Sequence, residues 1–529
     1  MIEATAAGDT GLLLDTDLPP AWLAGAIERA RLPGVVDVIP GATTVLVLTE
    51  PGTADRAGLA ATIAALPVAE PPASATSVVE IPVHYDGPDL DDVARLSGLS
   101  VAAVIEAHAA GLYTVGWLGF CPGFGYLTGL DQRLKGVPRL DTPRRSVPAG
   151  SVAIAAGLAA VYPTASPGGW RLLGRTTVRM WDPDRDPAAL LAPGRHVRFV
   201  PASEREVGRS PRAGGAAPER AAAVGAAAPC LEVIKPGPLA TVQDLGRLGQ
   251  GSVGVPPSGA ADPVSLIAAN RLVGNPDDLA CVELTLGRAA FRCHGDLSLA
   301  VAGAPAAVTV DAGAGDGPVP VEFGARFFAA DGAVVSVGAP PAGLRCYVAV
   351  AGGLAVPVVL GSRSSDLLSG LGGGPLQPGA VLPVGAPARV GPDAAAARSG
   401  VVPRTGTQVI GRGEVAKLRV IAGPRLDWFA ADALDRLCAG IYTVTPTSNR
   451  TGLRLDGEPL RRSSDAELPS EGLVTGSLQV PPAGLPILHL ADHPTVGGYP
   501  VIAVVASADI GQAAQLRPGD KLSFTQSAL

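Results

Sequence analysis

The sequence predicts a mainly β protein with a small α+β unit at its N terminus and related β modules in tandem. Three observations carry that expectation. After Tyr113 the chain becomes a series of short apolar runs broken by Gly and Pro, as in barrels and sandwiches. The first eighty residues instead alternate strand-like and helical spacing. One punctuation pattern, a glycine pair followed by a Pro-Gly turn and a strand, occurs three times.

In chain order, "GLLLDTD" and "TTVLVLTE" read as strands, whereas "AWLAGAIERA" and "RAGLAATIAAL" place apolar residues at helical intervals. "VVEIPVHY" reads as a further strand, and a helical pair follows it. Ser100 is positioned to cap "VAAVIEAHAAG" and Gly111 to stop it. The second half contains two strong helical patterns. In "DPVSLIAANRLVGN", Asp262 caps, Pro263 opens the first turn and Gly274 ends the helix; the other lies in "LDWFAADALDRLCAG". Residues 201–229 contain no aromatic and no Leu, Ile or Phe, so they have little to bury and read as a flexible linker. The expected division is a small α+β unit (1–85), a β module (86–200), the linker (201–229) and a second half (230–529) with two related β modules.

The repeats support that division. Gly168-Gly169 is followed by Pro193-Gly194, Gly352-Gly353 by Pro378-Gly379, and Gly497-Gly498 by Pro518-Gly519. "GSVAI" at 150 and "GSLQV" at 476 also correspond, so the first and third copies match best and the middle copy is weaker. The glycine pairs are expected to turn the chain.

Composition narrows the function. At 529 residues, with 47% hydrophobic and 17% charged residues, the chain exceeds one ordinary core and is too apolar for disorder. A net charge of −7 gives no support for nucleic-acid binding. A basic zone between Asp131 and Val200, with eleven Lys/Arg against five Asp/Glu, suits either an anionic small molecule or a solvated arginine-rich face. Six cysteines without a CxxC pair argue against a disulfide framework or zinc site, and no metal ligand set is expected. The uncharged stretch within residues 146–170 is interrupted by Pro148, Pro163 and Pro167, so no membrane span is expected. The N terminus has no basic flank typical of a secretory signal, and a cytoplasmic location is expected. With four lysines and no GxxxxGK[ST], there is no P-loop; GxSxG and HExxH are also absent.

The remaining chemistry lies in polar, glycine-rich clusters. In the first half, Arg144, Arg145, Arg171 and Arg175 are candidate anion ligands around Gly168, Gly169 and Trp170. The alternative places Trp170 in the core and the arginines in solvent. His108 lies on an apolar helical stripe, either as a core histidine or as an acid/base group. In the second half, Gln243, Asp244 and Arg247 surround a tight glycine turn, and Asn270 lies on the following helix. Glu471, Gln479, Asp492, Thr495 and Tyr499 fall in one stretch with His493, where polar groups among apolar strands need partners. One polar cleft and one buried structural network are both compatible with this pattern.

These motifs carry a resemblance. "GFCPGFGYL", "TPRRSVPAGSVAI" and "YPTASPGGWRLLGRT" resemble the family of the 5-oxoprolinase B component, also called allophanate hydrolase subunit 1. "VIKPGPLATVQDLGRLGQ", "SGAADPVSLIAANRLVGN", "SEGLVTGSLQVPPAGLPI" and "GGYPVIAVV" resemble the family of the C component, also called the biotin-dependent carboxyltransferase family. The resemblance implies cyclophilin-like β-barrel modules. It also implies ATP-dependent opening of 5-oxoproline to glutamate through a phosphorylated lactam, with a LamB/YcsF-type protein, the A component, as partner. ATP, with Mg2+, is the implied cofactor. Arg144, Arg175 and Arg247 are the candidates for binding phosphate or substrate carboxylate; His108, Asp244 and Glu471 are the acid/base candidates. The same families imply two alternatives: carboxyl transfer from carboxybiotin to urea or a related amide, with biotin supplied in trans, and kinase inhibition. A homo-oligomer is compatible with each reading. "SSDL" at Ser364–Leu367 and "DHPTVGGYP" depart from the family pattern and leave substrate identity open around Asp492 to Thr495.

Overall fold

The computed structural model describes residues 2–53, 55–69, 78–207, 228–313, 315, 317–387, 406–411, 413–464 and 466–527. The chain opens with an antiparallel sheet in the order Ile2–Ala7, Gly11–Thr16, Thr44–Thr49, Val35–Pro40. Helix Pro20–Ala30 packs on it through Leu23 and Ile27, which meet Leu12, Leu14, Val45 and Val47 in one core. The strands Ile2–Ala7 and Val35–Pro40 were not read from the sequence. "IEATAA" is short and mixed, and the Asp37 that breaks "VVDVIP" is itself buried.

A seven-stranded sheet follows in the order Arg171–Arg175, Ser151–Ala155, Leu158–Val161, Gly125–Thr128, Tyr113–Leu118, His196–Pro201, Val79–Val83. The bridge between His84 and Arg175 joins its ends. Helices Leu90–Ser97 and Val101–Ala109 cover this barrel, and Ser100 accepts the Ala103 N–H as the expected cap. At the other end of the chain, a closed barrel runs Val415–Ala422, Val501–Val505, Ser477–Gln479, Ile487–His489, Gly452–Asp456, Ile441–Val444, Lys521–Gln526. The two barrels have the same circular strand order, and in each the first and last strands pair in parallel. Each also carries a two-stranded ribbon, Arg144–Val147 with Ser166–Gly168 and Glu471–Gly472 with Val496–Gly497. The repeat between the first and third copies is therefore structural.

The middle copy differs. Its strands form a six-stranded and a five-stranded sheet that share one hydrophobic core. Helix Pro263–Leu272 lies on the five-stranded sheet, with Asp262 accepting the Ser265 N–H as the expected cap. The Pro-Gly turns behave alike throughout, with positive φ at Gly194, Gly379 and Gly519. The glycine pairs do not. Gly352 and Gly353 turn the chain with φ of +95° and +68°, whereas Gly168 ends an extended strand. The turn expected there is corrected to a close approach: a Cβ on Gly168 would lie 2.3 Å from the Tyr162 hydroxyl oxygen.

Most of the expected linker, residues 208–227, lies outside the described residues. Residues 201–207 still pack on the N-terminal barrel, where Val207 is buried and its carbonyl accepts the Thr177 hydroxyl. No helix among the described residues is long and apolar enough to cross a membrane.

Candidate active site

The two halves of the chain share a core. Trp117, Cys121, Phe124, Tyr126 and Trp170 of the first half pack with Leu473, Val474, Val496, Val501 and Val504 of the C-terminal barrel. The backbones also meet closely, because a Cβ on Gly119 would sit 2.2 Å from the Val496 side chain. Hydrogen bonds cross the same boundary, from Ala42 N to Ser470 O (2.7 Å) and from Gly123 N to Val253 O (3.1 Å).

Against this apolar seam lies a buried polar network built from three loops. The turn after strand Leu239–Gln243 supplies Asp244 and Arg247. Its Gly246 has φ +91°, and a Cβ there would lie 2.6 Å from Pro257 O, so only glycine fits. The loop 362–366 wraps Asp244. That carboxylate accepts the Ser362 hydroxyl (2.6 Å), the Gly246 N–H (2.8 Å), the Arg363 N–H (2.6 Å) and the Ser364 hydroxyl. Arg247 is 2% exposed and donates to Ser364 O through Nη2 and to Val359 O through Nε at 3.4 Å.

The third loop, from the C-terminal barrel, brings Asp492. It accepts the Ser258 hydroxyl (2.7 Å) and two N–H groups of Arg450, each at 2.9 Å. Arg450 also reaches Glu283 and Gly259 O, so its guanidinium joins the middle module to the C-terminal barrel. Burial alone would raise the Asp492 carboxyl, but Arg450 holds it below the ordinary range. Asp366 moves the other way, raised first by burial and then by the charge of Asp492. Burial pushes the Cys121 thiol on the facing barrel up to about 12, with a smaller contribution from Asp366.

Satisfied and unsatisfied groups divide the network by role. Asp244, Asp492 and Arg450 have several internal partners and hold the loops together. Four buried polar atoms on the same loops have none: Gln243 Oε1, Arg247 Nη1, His493 Nε2 and Thr495 Oγ1. Gln243 donates through Nε2 to Ser365 O (2.9 Å), which leaves its oxygen as an acceptor. His493 Nδ1 lies 2.7 Å from Pro494 O and must donate to it, so the bare Nε2 is an acceptor. Burial lowers the His493 pKa, which keeps the ring neutral at pH 7. Buried polar groups in folded proteins are normally paired. On these loops a cationic donor, two acceptors and a hydroxyl are therefore left without an internal partner.

Of the residues expected from sequence, Gln243, Asp244, Arg247, Asp492 and Thr495 fall on these loops. The others lie elsewhere. His108 is in the core of the N-terminal barrel, stacked on Phe199 at 4.5 Å, bonded to the Tyr85 hydroxyl at 2.8 Å and lowered by burial to about 3. Arg144 pairs with Asp89 (2.7 Å), and Arg175 pairs with Asp86 (2.8 Å) and Glu204 (3.2 Å). Both of these expected anion ligands are thus ion-paired within the first half. Arg145 is exposed; Gly169 follows the ribbon strand, and Trp170 is buried in the seam. Asn270 donates to Leu279 O (2.7 Å) and steadies a loop of the middle module. Gln479 donates to Tyr499 O (2.8 Å) and accepts from His489 (2.9 Å), while the Tyr499 side chain is partly exposed. Sequence reading missed Glu283 and Arg450. A lone acid in the apolar strand "CVELT" was a usable signal for Glu283; "TSNRTG" offered none for Arg450.

Glu471 belongs to a second contact between the halves. Its Oε2 accepts Arg425 Nε (2.7 Å), and Arg425 forks onto both oxygens of Asp15 in the N-terminal sheet (2.8 and 3.0 Å). Burial raises the Glu471 carboxyl to about 7, against the lowering influence of Arg425. A carboxyl raised in the folded state is bound to its proton more tightly there than in the unfolded chain. Its stabilising contribution is full below the unfolded value of 4.5 and is lost as pH rises through about 7. The Tm of Glu471→Gln, measured relative to that of the native chain, is therefore expected to rise by several degrees between pH 5 and pH 8. A flat difference would show that Glu471 titrates normally.

Residues 253–526 match the carboxyltransferase domain family, subdomain A and B, and residues 10–191 match its subdomain C and D. The chain is 35% identical over 302 residues to the C component of 5-oxoprolinase from Escherichia coli (strain K12), covering 56% of this chain and 92% of that protein. It is 40% identical over 208 residues to the B component of 5-oxoprolinase from Escherichia coli O157:H7, covering 37% of this chain and 94% of that protein. A urea amidolyase of Lachancea kluyveri is 30% identical over 317 residues, which is 56% of this chain and 17% of that protein. The crystal structure of TTHA0988 matches with a TM-score of 0.83 at 34% identity, covering 99% of this chain and 100% of that one. With both halves matched and the barrels joined through one core, the chain belongs to the carboxyltransferase domain family, as a fusion of units homologous to the B and C components of bacterial 5-oxoprolinase and related to the carboxyltransferase domain of urea carboxylase.

Proposed function

We propose that this chain is the B–C component of an ATP-dependent 5-oxoprolinase and binds the lactam at the Asp244–Arg247 turn, acting with a LamB/YcsF-type partner. The observation that carries the reading is the set of four unpartnered buried atoms on Gln243, Arg247, His493 and Thr495. Similarity to the B and C components of 5-oxoprolinase supports the general enzymatic role. Arg247 Nη1 receives the substrate carboxylate, Gln243 Oε1 accepts the lactam N–H, and the Thr495 hydroxyl donates to the lactam oxygen. ATP would supply a phosphoryl group to the lactam oxygen, which activates the ring carbon; water adds to that carbon and gives a proton to His493 Nε2. As the C–N bond breaks, the same proton passes to the departing nitrogen, and hydrolysis of the remaining acyl phosphate by a second water releases phosphate and leaves glutamate. Burial suits His493 to this role by keeping its imidazole neutral.

In the N-terminal barrel Arg144 and Arg175 are ion-paired with Asp89, Asp86 and Glu204, so phosphate binding by either would require exchange of those partners. The test is turnover of 5-oxoproline by this chain with its partner and ATP, omitting each component in turn. Glutamate formed only by the complete mixture is the expected result. Its absence, with carboxyl transfer from carboxybiotin to urea in its place, would overturn the proposal in favour of the activity named by the urea amidolyase relatives. Within the working mixture, His493→Ala is expected to lower kcat about 100-fold, the scale of a lost general base.

A further inference from the structure

We propose that Asp37, in the N-terminal sheet, is a positioning residue for the site on the other half of the chain, where it fixes the segment that follows the Asp244–Arg247 turn. The proposal rests on the reading of that turn as the substrate site. Asp37 lies on strand Val35–Pro40 and is 6% exposed. Its Oδ2 accepts the N–H groups of Gly249 (3.1 Å) and Gly251 (2.9 Å), more than two hundred residues further along the chain, and its Oδ1 accepts its neighbour's Val38 N–H (2.8 Å).

Locally the segment is held by backbone hydrogen bonds, from Val253 N and Val255 N to Gln250 O (3.3 and 3.2 Å) and from Gly254 N to Gly251 O (2.9 Å). The short 3-10 turn Gly251–Val253 has no side-chain cap of its own. Asp37 supplies that missing acceptor from the other half. The approach is too close for a side chain, because a Cβ on Gly251 would stand 2.4 Å from Ile39 Cγ1 and 3.0 Å from Asp37 Oδ2. One turn later the segment presses on the N-terminal barrel, where a Cβ on Gly254 would lie 2.9 Å from Cys121 O. Residues 249–254 are thus held between strand Val35–Pro40 and the turn at 119–123. Arg247 stands two residues before the first clamped amide and makes only backbone contacts through its own guanidinium. The direction of its unpartnered Nη1 is set by those two contacts together with the backbone that the clamp holds in place.

The test uses the full chain with two variants of nearly equal size. Asp37→Asn keeps an oxygen that can accept both glycine amides; Asp37→Leu keeps none. In Asp37→Leu, hydrogen exchange across 245–254 is expected to accelerate by about tenfold or more, the scale of a lost pair of buried hydrogen bonds, while 45–48 in the same sheet stays protected. Asp37→Asn should restore most of the protection. In the mixture with partner, ATP and 5-oxoproline, Asp37→Leu should lower kcat/KM in parallel and Asp37→Asn should recover it. Unchanged exchange across 245–254 in Asp37→Leu would overturn the proposal. So would equal loss of protection in 45–48, which would mark a general structural role. If the native chain does not turn over 5-oxoproline, the substrate reading fails, and the exchange measurement still decides whether Asp37 fixes this segment.

Discussion

Arg450→Met is expected to destabilise the protein by about 3–5 kcal/mol, the range for breaking a buried ion pair by removing one partner. Arg450 is 2% exposed and bonds Asp492, Glu283 and Gly259 O together. Methionine fills much of the volume but leaves two buried carboxylates with reduced compensation. Glu283 keeps the Tyr347 hydroxyl (2.7 Å) and the Ala261 N–H (3.0 Å), and Arg345 lies 3.5 Å away. Asp492 keeps only the Ser258 hydroxyl and a weak bond from Leu367 N at 3.3 Å. The damage should therefore fall mainly on the contact between the middle module and the C-terminal barrel. Arg450→Lys retains charge but not the planar fork that serves three partners, and should fall between the two. Urea unfolding measures both variants. A loss below about 1 kcal/mol for Arg450→Met would place the network among ion pairs of little net worth.

Arg247→Lys is expected to lower kcat/KM for 5-oxoproline by about 100-fold, the effect of losing a buried charge-assisted contact. The lysine ammonium can balance the nearby charges of Asp244, Asp366 and Asp492, so the fold should persist. Its single nitrogen cannot take the places of Nε and Nη2 at Val359 O and Ser364 O and also stand where Nη1 meets the substrate carboxylate. The loss should appear mainly in KM if Arg247 binds substrate and transition state equally, and in kcat if the contact tightens during reaction. Near-native kinetics would remove Arg247 from substrate binding.

Much of the architecture was legible because local chemistry and tertiary structure agree. Ser100 and Asp262 cap the helices their positions announce, and the Pro-Gly turns set off the last strands of both barrels. The glycine pair at 168–169 misled because two glycines signal a turn and a close approach equally well. Tyr162, six residues earlier, decides between them, and only the fold brings its ring against Gly168. Buried polar positions were legible where polar groups interrupt apolar strands, as around Gln243 and Asp492. The ion pairs of the first-half arginines were not, for a different reason. Their acids, Asp86 and Asp89, lie 89 and 55 residues away from Arg175 and Arg144. No periodicity links partners at that range.

The seam between the halves also bears on how the chain is made. Trp117, Cys121, Phe124 and Tyr126 leave the ribosome roughly 380 residues before Val496, Val501 and Val504, the apolar surface that covers them. At typical synthesis rates that interval is about 20–75 seconds. The N-terminal barrel can close its own strands during this time, yet its aromatic face stays wet until the last barrel is finished. Fusion does not shorten that wait, but it guarantees that the covering surface arrives on the same molecule, at a local concentration set by the connection rather than by the supply of a second protein.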